Sequence, residues 1–304
     1  MQKNPKVLVI LGPTASGKTK LAVELARQLN GEIISADSRQ VYKGMDIGTG
    51  KDLAEYGMVK YHLIDVIKPD KQFDLKKYQA MAYGAINDVL KRKKLPILVG
   101  GSGLYLQAVV DGYILANKTR TTEDTDLELK TLKEIQNLVA KQDKTFFNRL
   151  NNSEKNNKRR LIRYLEILQN SKQILKQPRV KTPPYEFMVI GLNISIDTLR
   201  KKIKKRLLDR LKNDVLIKEV KKLHKAGLSW QRLESFGLEY KFVSQYLQKK
   251  LSKQEMIEKL NIAIGQFAKR QMTWFRRWEK QGREIKWLKL SKNKPILANI
   301  DTFK

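Results

Sequence analysis

A short apolar run, a glycine-rich loop and an amphipathic stretch follow one another near the start of the chain, and no other feature constrains its fold as strongly. Residues 6–11 read KVLVIL, and residues 12–19 read GPTASGKT. The second run matches the spacing G-x-x-x-x-G-K-[ST] in full, and apolar residues then recur at helical spacing over 20–29. The sequence therefore predicts a buried strand, a P-loop and a helix.

The loop predicts a phosphate site because its backbone N–H groups and the N-terminus of the following helix can surround a pyrophosphate group. Lys18 supplies a positive charge, and the Thr19 hydroxyl can hold Mg²⁺. The motif does not say which pyrophosphate binds, although a nucleoside triphosphate is its usual ligand. The predicted pyrophosphate-binding residues are Gly12, Pro13, Thr14, Ala15, Ser16, Gly17, Lys18 and Thr19.

Hydrophobic periodicity extends the prediction to the whole chain. We expect an α/β fold with a P-loop NTPase-like parallel sheet core, a helical insertion and a helical C-terminal part. The predicted boundaries are 1–112 for the core, rejoined by about 185–304, and 113–184 for the insertion. Strands are predicted at 6–11, 32–36, 61–66, 96–99 and 187–192. Helices are predicted at 20–29, 78–91, 158–176, 197–225, 253–269 and 270–281, with shorter segments over 124–150.

Composition excludes several kinds of site. The 304 residues include no Cys and two His, which excludes disulfides, thiol nucleophiles, zinc fingers and iron–sulfur clusters. Since no apolar run reaches the roughly 18 residues of a membrane span and the first residues lack a signal-peptide layout, we expect a cytoplasmic protein that does not enter a membrane.

Charge is distributed unevenly along the chain. Residues 1–150 carry 24 basic and 17 acidic side chains, a net charge of +7, while 151–304 carry 38 and 14, a net charge of +24. Lys and Arg bind phosphates by releasing counterions, so this imbalance indicates a polyanionic partner such as a nucleic acid. A general preference for Lys on solvated surfaces is the alternative, but it would not spare the first half.

Carboxylates are scarce beside the predicted phosphate site. The predicted strand 96–99 runs into Gly100 and Gly101, with no Asp or Glu where an NTPase usually supports its metal. Asp37 follows the predicted strand 32–36, at the edge where open parallel sheets bind ligands. It could hold a Mg²⁺-bound water, orient a kinase substrate or act as a general base, and capping a turn is the structural alternative.

Six ordered motifs run through most of the chain: GPTASGKT (12–19), IISADSRQ (33–40), MDIGT (45–49), HLID (62–65), VGGSGLY (99–105) and KRQMTW (269–274). Together they resemble the tRNA dimethylallyltransferase family. The resemblance implies that the P-loop holds dimethylallyl pyrophosphate, and that the enzyme prenylates N6 of the adenine at position 37, next to the tRNA anticodon. The products would be N6-isopentenyladenosine and pyrophosphate.

The resemblance also implies partners and roles. It implies Mg²⁺ as cofactor and the tRNA anticodon stem-loop as partner of the basic second half and of the insertion. The positive charge of the chain favours a monomer that clamps one RNA. Asp37 would be the general base, acting with Lys18, Thr19 and Arg206 as the catalytic residues. The implied tRNA-binding residues are Asp37, Ser38, Arg39, Gln40, Ser102, Arg159, Arg160, Arg163, Lys269, Arg270 and Arg276.

Two of these assignments have structural alternatives. Helical spacing places Arg160 and Arg163 on one face, which a solvated surface would equally explain. Basic and aromatic residues alternate over 269–277, a pattern suited to single-stranded RNA. Since Phe267, Trp274 and Trp278 also have the spacing of a buried stripe, we predict that the aromatic residues are core and the basic residues face RNA.

The sequence departs from the family pattern at two positions, and two other functions compete with the implied one. Glu234 and Glu239 stand where the family usually carries basic residues, which puts base readout there in question. A P-loop small-molecule kinase is the nearest enzymatic alternative, but it leaves the basic half unused. A nucleic-acid-binding module with an ATP-driven switch would need a carboxylate after 96–99, and the sequence has none there.

Overall fold

A computed structural model describes residues 4–115, 122–170 and 180–289. The chain divides into two compact units, Met1–Gly112 with Thr182–Lys304, and Tyr113–Lys181. The first unit contains a six-stranded sheet in which every pair of neighbours is parallel, in the order β3-β2-β4-β1-β5-β6. Its strands are β1 (Lys6–Leu11), β2 (Gly31–Ser35), β3 (Tyr61–His62), β4 (Leu95–Gly100), β5 (Glu186–Asn193) and β6 (Lys286–Lys289).

Helices surround this sheet and make up most of the second unit. Those before the insertion are α1 (Lys18–Gln28), α2 (Leu75–Lys91) and α3 (Gly103–Val110). The second unit contains α4 (Thr122–Leu129), α5 (Leu132–Gln142), α6 (Lys144–Arg149), α7 (Asn152–Lys155) and α8 (Lys158–Asn170). The chain then returns to the first unit with α9 (Ile196–Leu211), α10 (Val215–Lys225), α11 (Trp230–Ser235), α12 (Leu238–Leu247) and α13 (Lys253–Lys280).

The central strand β1 is buried on both faces, as a parallel sheet covered by helices requires. Its alternate residues enter different apolar clusters, Val7 and Val9 on one face and Leu8 and Ile10 on the other. Helix α1 covers the second face, while α2, α3 and the end of α13 cover the first. A third cluster contains residues of the five helices α9, α10, α11, α12 and α13. The second unit has its own apolar core, formed by residues of α4, α5, α6 and α8.

The α/β prediction is confirmed, but four predicted elements are different in the structure. The third strand covers two residues instead of six because Leu63 and Asp65 adopt positive φ angles of 63° and 55°, which end an extended strand. The helix predicted at 197–225 is two helices, since Asn213 and Asp214 also have positive φ. The two helices predicted over 253–281 are one continuous helix of 28 residues. Residues 171–179, at the end of another predicted helix, lie outside the described residues.

A buried carboxylate fastens the opposite end of the sheet from the P-loop. Glu32 is 1% exposed and is bound by His62, Arg92 and Lys94 at 2.7, 2.7 and 3.1 Å. Burial by itself raises the pKa of Glu32, but hydrogen bonds from Arg92, His62 and Lys94 outweigh it and lower that pKa to about 2. His62 is therefore a structural partner. No helix in the described part of the chain is long and apolar enough to cross a bilayer.

Candidate active site

The carboxyl ends of β1, β2 and β4 meet at one edge of the sheet, where parallel open sheets bind ligands. The loops after these strands, together with α9 and α13, enclose a cavity of about 560 Å³. Its wall includes the cationic side chains of Lys18, Arg206 and Arg210. It also includes the apolar side chains of Leu104, Ile264, Phe267 and Trp274. The cavity can therefore hold a ligand with an anionic and a hydrocarbon end.

The P-loop has the backbone shape that its sequence predicts. Gly17 lies at the N-cap of α1 with φ of +90°, a conformation that glycine adopts without strain, and it has no side chain to cap the helix. The first N–H groups of α1 are thus available to an anion. Lys18 Nζ folds back over the loop and donates a hydrogen bond to Pro13 O at 3.3 Å.

Two half-buried cations face this loop. Burial lowers the pKa of Lys18 to about 8, with Asp37 opposing the effect and Arg206 adding to it. Burial and the neighbouring Arg210 lower the pKa of Arg206 to about 10. Arg206 also donates a hydrogen bond to the Thr14 hydroxyl, which ties α9 to the P-loop. Both pKa values are lowered, as expected of cations in a site that binds an anionic ligand.

The lowered pKa of Lys18 predicts a pH dependence of anion binding. Below about pH 8 the free protein already carries the Lys18 charge, so binding needs no proton. Above that pH, binding must take up a proton, and affinity for inorganic pyrophosphate should fall by up to about tenfold per pH unit. Isothermal calorimetry across this range measures the effect. Lys18→Ala is the control, because pyrophosphate itself titrates in the same way with both proteins. An identical pH profile in both proteins would contradict the assignment of the effect to Lys18.

Asp37 both caps a turn and lines the cavity. Its Oδ1 accepts hydrogen bonds from the backbone N–H groups of Arg39 at 2.9 Å and Gln40 at 3.4 Å, so it caps a turn. No hydrogen bond among the described residues reaches Oδ2, and the half-buried side chain lines the cavity. The turn thus orients one carboxylate oxygen while leaving the other to a ligand.

The residues after Asp37 also line the cavity. The Ser38 N–H donates to Ser102 Oγ at 3.2 Å, which joins the loops after β2 and β4. Gln40 donates from Nε2 to Gly50 O at 3.0 Å and accepts at Oε1 from Ser35. Ser38, Gln40 and Ser102 therefore hold the loops in place as well as facing the cavity.

Arg210 and Glu239 belong to the cavity wall, although sequence reasoning gave Arg210 no role. Arg210 lies one helical turn after Arg206, and this spacing was the available signal. It is 3.7 Å from Glu239 and 3.6 Å from Asp52. The Glu239 side chain is 8% exposed, so this departure from the family pattern balances a buried arginine. Glu234, by contrast, accepts a hydrogen bond from Gln248 at 2.9 Å.

Helix α13 contributes a face to the cavity and another to solvent. Phe275 and Trp278 are buried in the core, but Phe267 and Trp274 line the cavity. The prediction that the aromatic residues are core is therefore correct for Trp278 and wrong for Phe267, while Trp274 is half-buried and packs against the same core cluster as it lines the cavity. Trp274 is fixed by a hydrogen bond to Gln107 at 3.0 Å and by the Arg277 guanidinium, 4.3 Å from its ring centre. Three further predicted RNA-binding residues on α13 are exposed: Lys269, Arg270 and Arg276.

The arginines of α8 lie in the second unit. Arg160 pairs with Glu154 at 3.2 Å, and Arg163 pairs with Glu166 at 2.8 Å. Arg159 is exposed. Two of the three predicted RNA contacts thus already neutralise carboxylates of their own unit.

Whether Mg²⁺ fits the first unit depends on which side chains could act as its ligands. Within residues 4–115, 122–170 and 180–289, no group of three or more Asp, Glu or His side chains could hold a metal ion. The Thr19 hydroxyl at the start of α1 lines the cavity, and Mg²⁺ commonly takes one or two protein ligands together with substrate phosphates and water. The residues present fit an ion that a diphosphate brings with it.

Fold and site together define an α/β protein with a P-loop whose phosphate cradle lies beside a carboxylate and an apolar wall. The family model for IPP transferase matches residues 40–278. A tRNA dimethylallyltransferase of Syntrophus aciditrophicus is 47% identical over 293 residues, covering 95% of this chain and 94% of the relative. A second, from Treponema denticola, is 47% identical and covers 92% of this chain and 95% of its own length.

Solved structures agree with these relatives. A tRNA isopentenylpyrophosphate transferase from Bacillus halodurans is 34% identical, with a TM-score of 0.70 over 98% of this chain and 95% of that one. A eukaryotic dimethylallyltransferase acting on tRNA is 27% identical, with a TM-score of 0.76 over 94% of this chain and 74% of that one. The chain belongs to the tRNA dimethylallyltransferase family, as the motif resemblance predicts.

Proposed function

We propose that this protein transfers a dimethylallyl group from dimethylallyl pyrophosphate to N6 of the adenine at position 37 of tRNA, giving N6-isopentenyladenosine and pyrophosphate. The observation that carries the proposal is the cavity itself. It combines a P-loop and two half-buried cations with Asp37 and with apolar lining residues that suit a short hydrocarbon chain. Family membership supports the same reaction.

In the first half of the reaction the donor's C1–O bond breaks and its electron pair stays on the pyrophosphate. Lys18, Arg206 and the N–H groups at the start of α1 neutralise the charge that develops on this leaving group. Thr19 would hold Mg²⁺, which adds positive charge at the same phosphates. Phe267 and Trp274 exclude water from the allylic carbon.

In the second half, adenine N6 forms a bond to C1 and loses one proton. A neutral amine of this kind needs a base as the C–N bond forms, and Asp37 accepts the proton. The carboxylate suits this role because its turn binds one oxygen only. A base stacked in an RNA loop cannot reach the cavity, so the target adenine must be flipped out of its stack.

RNA binding uses basic residues of α13 and α8, of which Arg160 and Arg163 also pair with carboxylates of their own unit. We assign Lys269, Arg270 and Arg276 on α13, and Arg159, Arg160 and Arg163 on α8, to the anticodon stem-loop, with Ser38, Arg39, Gln40 and Ser102 near the flipped nucleotide. One chain carries the whole cavity, so a monomer suffices. A tRNA substrate agrees with a cytoplasmic location.

Removing the exposed basic residues of α13 should weaken RNA binding and its salt dependence. For the triple variant of Lys269, Arg270 and Arg276 to Ala, the slope of log affinity against log salt should fall by about 0.7–0.9 per lost phosphate contact. Filter binding of a tRNA at several salt concentrations measures this slope. Arg277 is left in place because it stacks on Trp274.

A control variant with Lys77 and Lys91 of α2 changed to Ala removes exposed charge elsewhere. If the α13 variant and this control have the same slope as the parent protein, α13 does not contact RNA.

The acceptor position is tested with altered tRNA. Transfer should be lost when adenine 37 is replaced by guanine in an otherwise identical transcript, while binding of the transcript persists. Transfer that continues unchanged would show that another base is modified.

A further inference from the structure

A buried amide on α13 connects the loops that form the floor of the cavity. Gln271 is 7% exposed. Its Oε1 accepts a hydrogen bond from the Thr14 N–H of the P-loop at 2.8 Å, and its Nε2 donates to Gly101 O, after β4, at 2.9 Å. Each end of the side chain is thus bound to a different loop.

The connection continues to the general base. Gly101 precedes Ser102, whose Oγ accepts the N–H of Ser38, the residue after Asp37. Backbone hydrogen bonds of the sheet join β2 to β4 and β4 to β1, and just beyond the strand ends the Ser102 N–H donates to Ala36 O at 3.3 Å. Gln271 and Ser102 supply hydrogen bonds across the three loops. Hydrogen bonds and the covalent backbone therefore connect the P-loop to Asp37 through Gln271 and Ser102.

The backbone around Gln271 is shaped for its amide. A Cβ atom at Gly101 would lie 2.3 Å from Gln271 Nε2, far inside a normal contact. The absence of a side chain at Gly101 therefore leaves the space that the Gln271 amide occupies.

We infer that Gln271 is a positioning residue that fixes the pyrophosphate cradle at a set distance from Asp37. This rests on the proposed function, since it assigns the separation of leaving group and base. In a transfer where C–O cleavage and proton removal occur within one cavity, an error of about 1 Å in this separation can lower the rate by about 10²-fold. Gln271 would act through Thr14 and Gly101, without contact with the reacting atoms.

The test compares Gln271→Glu with Gln266→Glu, an exposed glutamine on the same helix. Glu at 271 keeps the acceptor for Thr14 but places an oxygen against the Gly101 carbonyl. We expect kcat at saturating donor and tRNA to fall by about 10–10²-fold, with the tRNA dissociation constant within about twofold of the parent value. Gln266→Glu should keep the parent kcat. A purely structural role would lower the melting temperature and the active fraction, leaving kcat per folded molecule unchanged.

Gly101→Ala provides a second variant, because its methyl group displaces the Gln271 amide without changing that residue. It should reproduce the loss of kcat. If either variant folds with parent kcat, the inference is wrong. If the parent protein itself transfers no dimethylallyl group, the proposed function fails instead, so the two failures are distinguishable.

Discussion

Replacing Asp37 with Asn should reduce dimethylallyl transfer by about 10²–10⁴-fold, the usual contribution of a general base. Asn is the informative substitution because its carbonyl oxygen can still accept the N–H groups of Arg39 and Gln40, so the turn survives. What it loses is the ability to take a proton. Asp37→Ala removes the turn as well and should be no more active. Single-turnover transfer with saturating donor and tRNA measures both rates.

The control for this prediction is Asp70→Asn, which changes an exposed carboxylate outside the cavity and should leave transfer unchanged. Affinity for tRNA should be nearly unaffected in Asp37→Asn, since the cavity remains folded. Transfer close to the parent rate in Asp37→Asn would mean that another group, or water, accepts the N6 proton.

Lys18→Ala should lower kcat by about 10²–10³-fold, as the loss of a preorganised charge at a developing anion commonly does. The side chain is half-buried beside the P-loop, and its partial burial lowers the pKa of the ammonium group to about 8. Pyrophosphate affinity should fall along with kcat because the same cation binds the product.

Lys91→Ala provides the matched control, since it removes an exposed lysine from α2. Rapid-quench measurement of labelled transfer gives kcat for both variants. If Lys18→Ala changes only the Michaelis constant for the donor, Lys18 binds ground state and transition state equally and does not contribute to catalysis.

The local parts of this site follow from the sequence. The P-loop motif specifies its own backbone because Gly17 tolerates the positive φ that the turn before α1 requires. Asp37 lies at the predicted edge because it comes two residues after β2, and strand ends of a parallel sheet converge at one edge. Both predicted alternatives for Asp37 are found in the structure. Its carboxylate caps a turn, and the same side chain faces the cavity.

The remaining parts depend on residues brought together from distant positions. Gln271 binds Thr14 across 257 positions, and no local pattern distinguishes it from other polar residues of an amphipathic helix. Glu239 and Arg210 pair from different helices, so neither sequence neighbourhood predicts the pair. The third strand is short because Leu63 has positive φ, which β-propensity does not anticipate for leucine.

The most direct measurement of the central claim combines purified protein, Mg²⁺, unmodified tRNA and labelled dimethylallyl pyrophosphate, followed by digestion to nucleosides. A parallel reaction contains labelled ATP in place of the prenyl donor. We expect label from the prenyl donor to appear on N6 of adenosine, and ATP to be neither consumed nor required. Absence of prenyl transfer, together with ATP turnover stimulated by RNA or a small molecule, would contradict this expectation, because the P-loop would then hold a nucleotide.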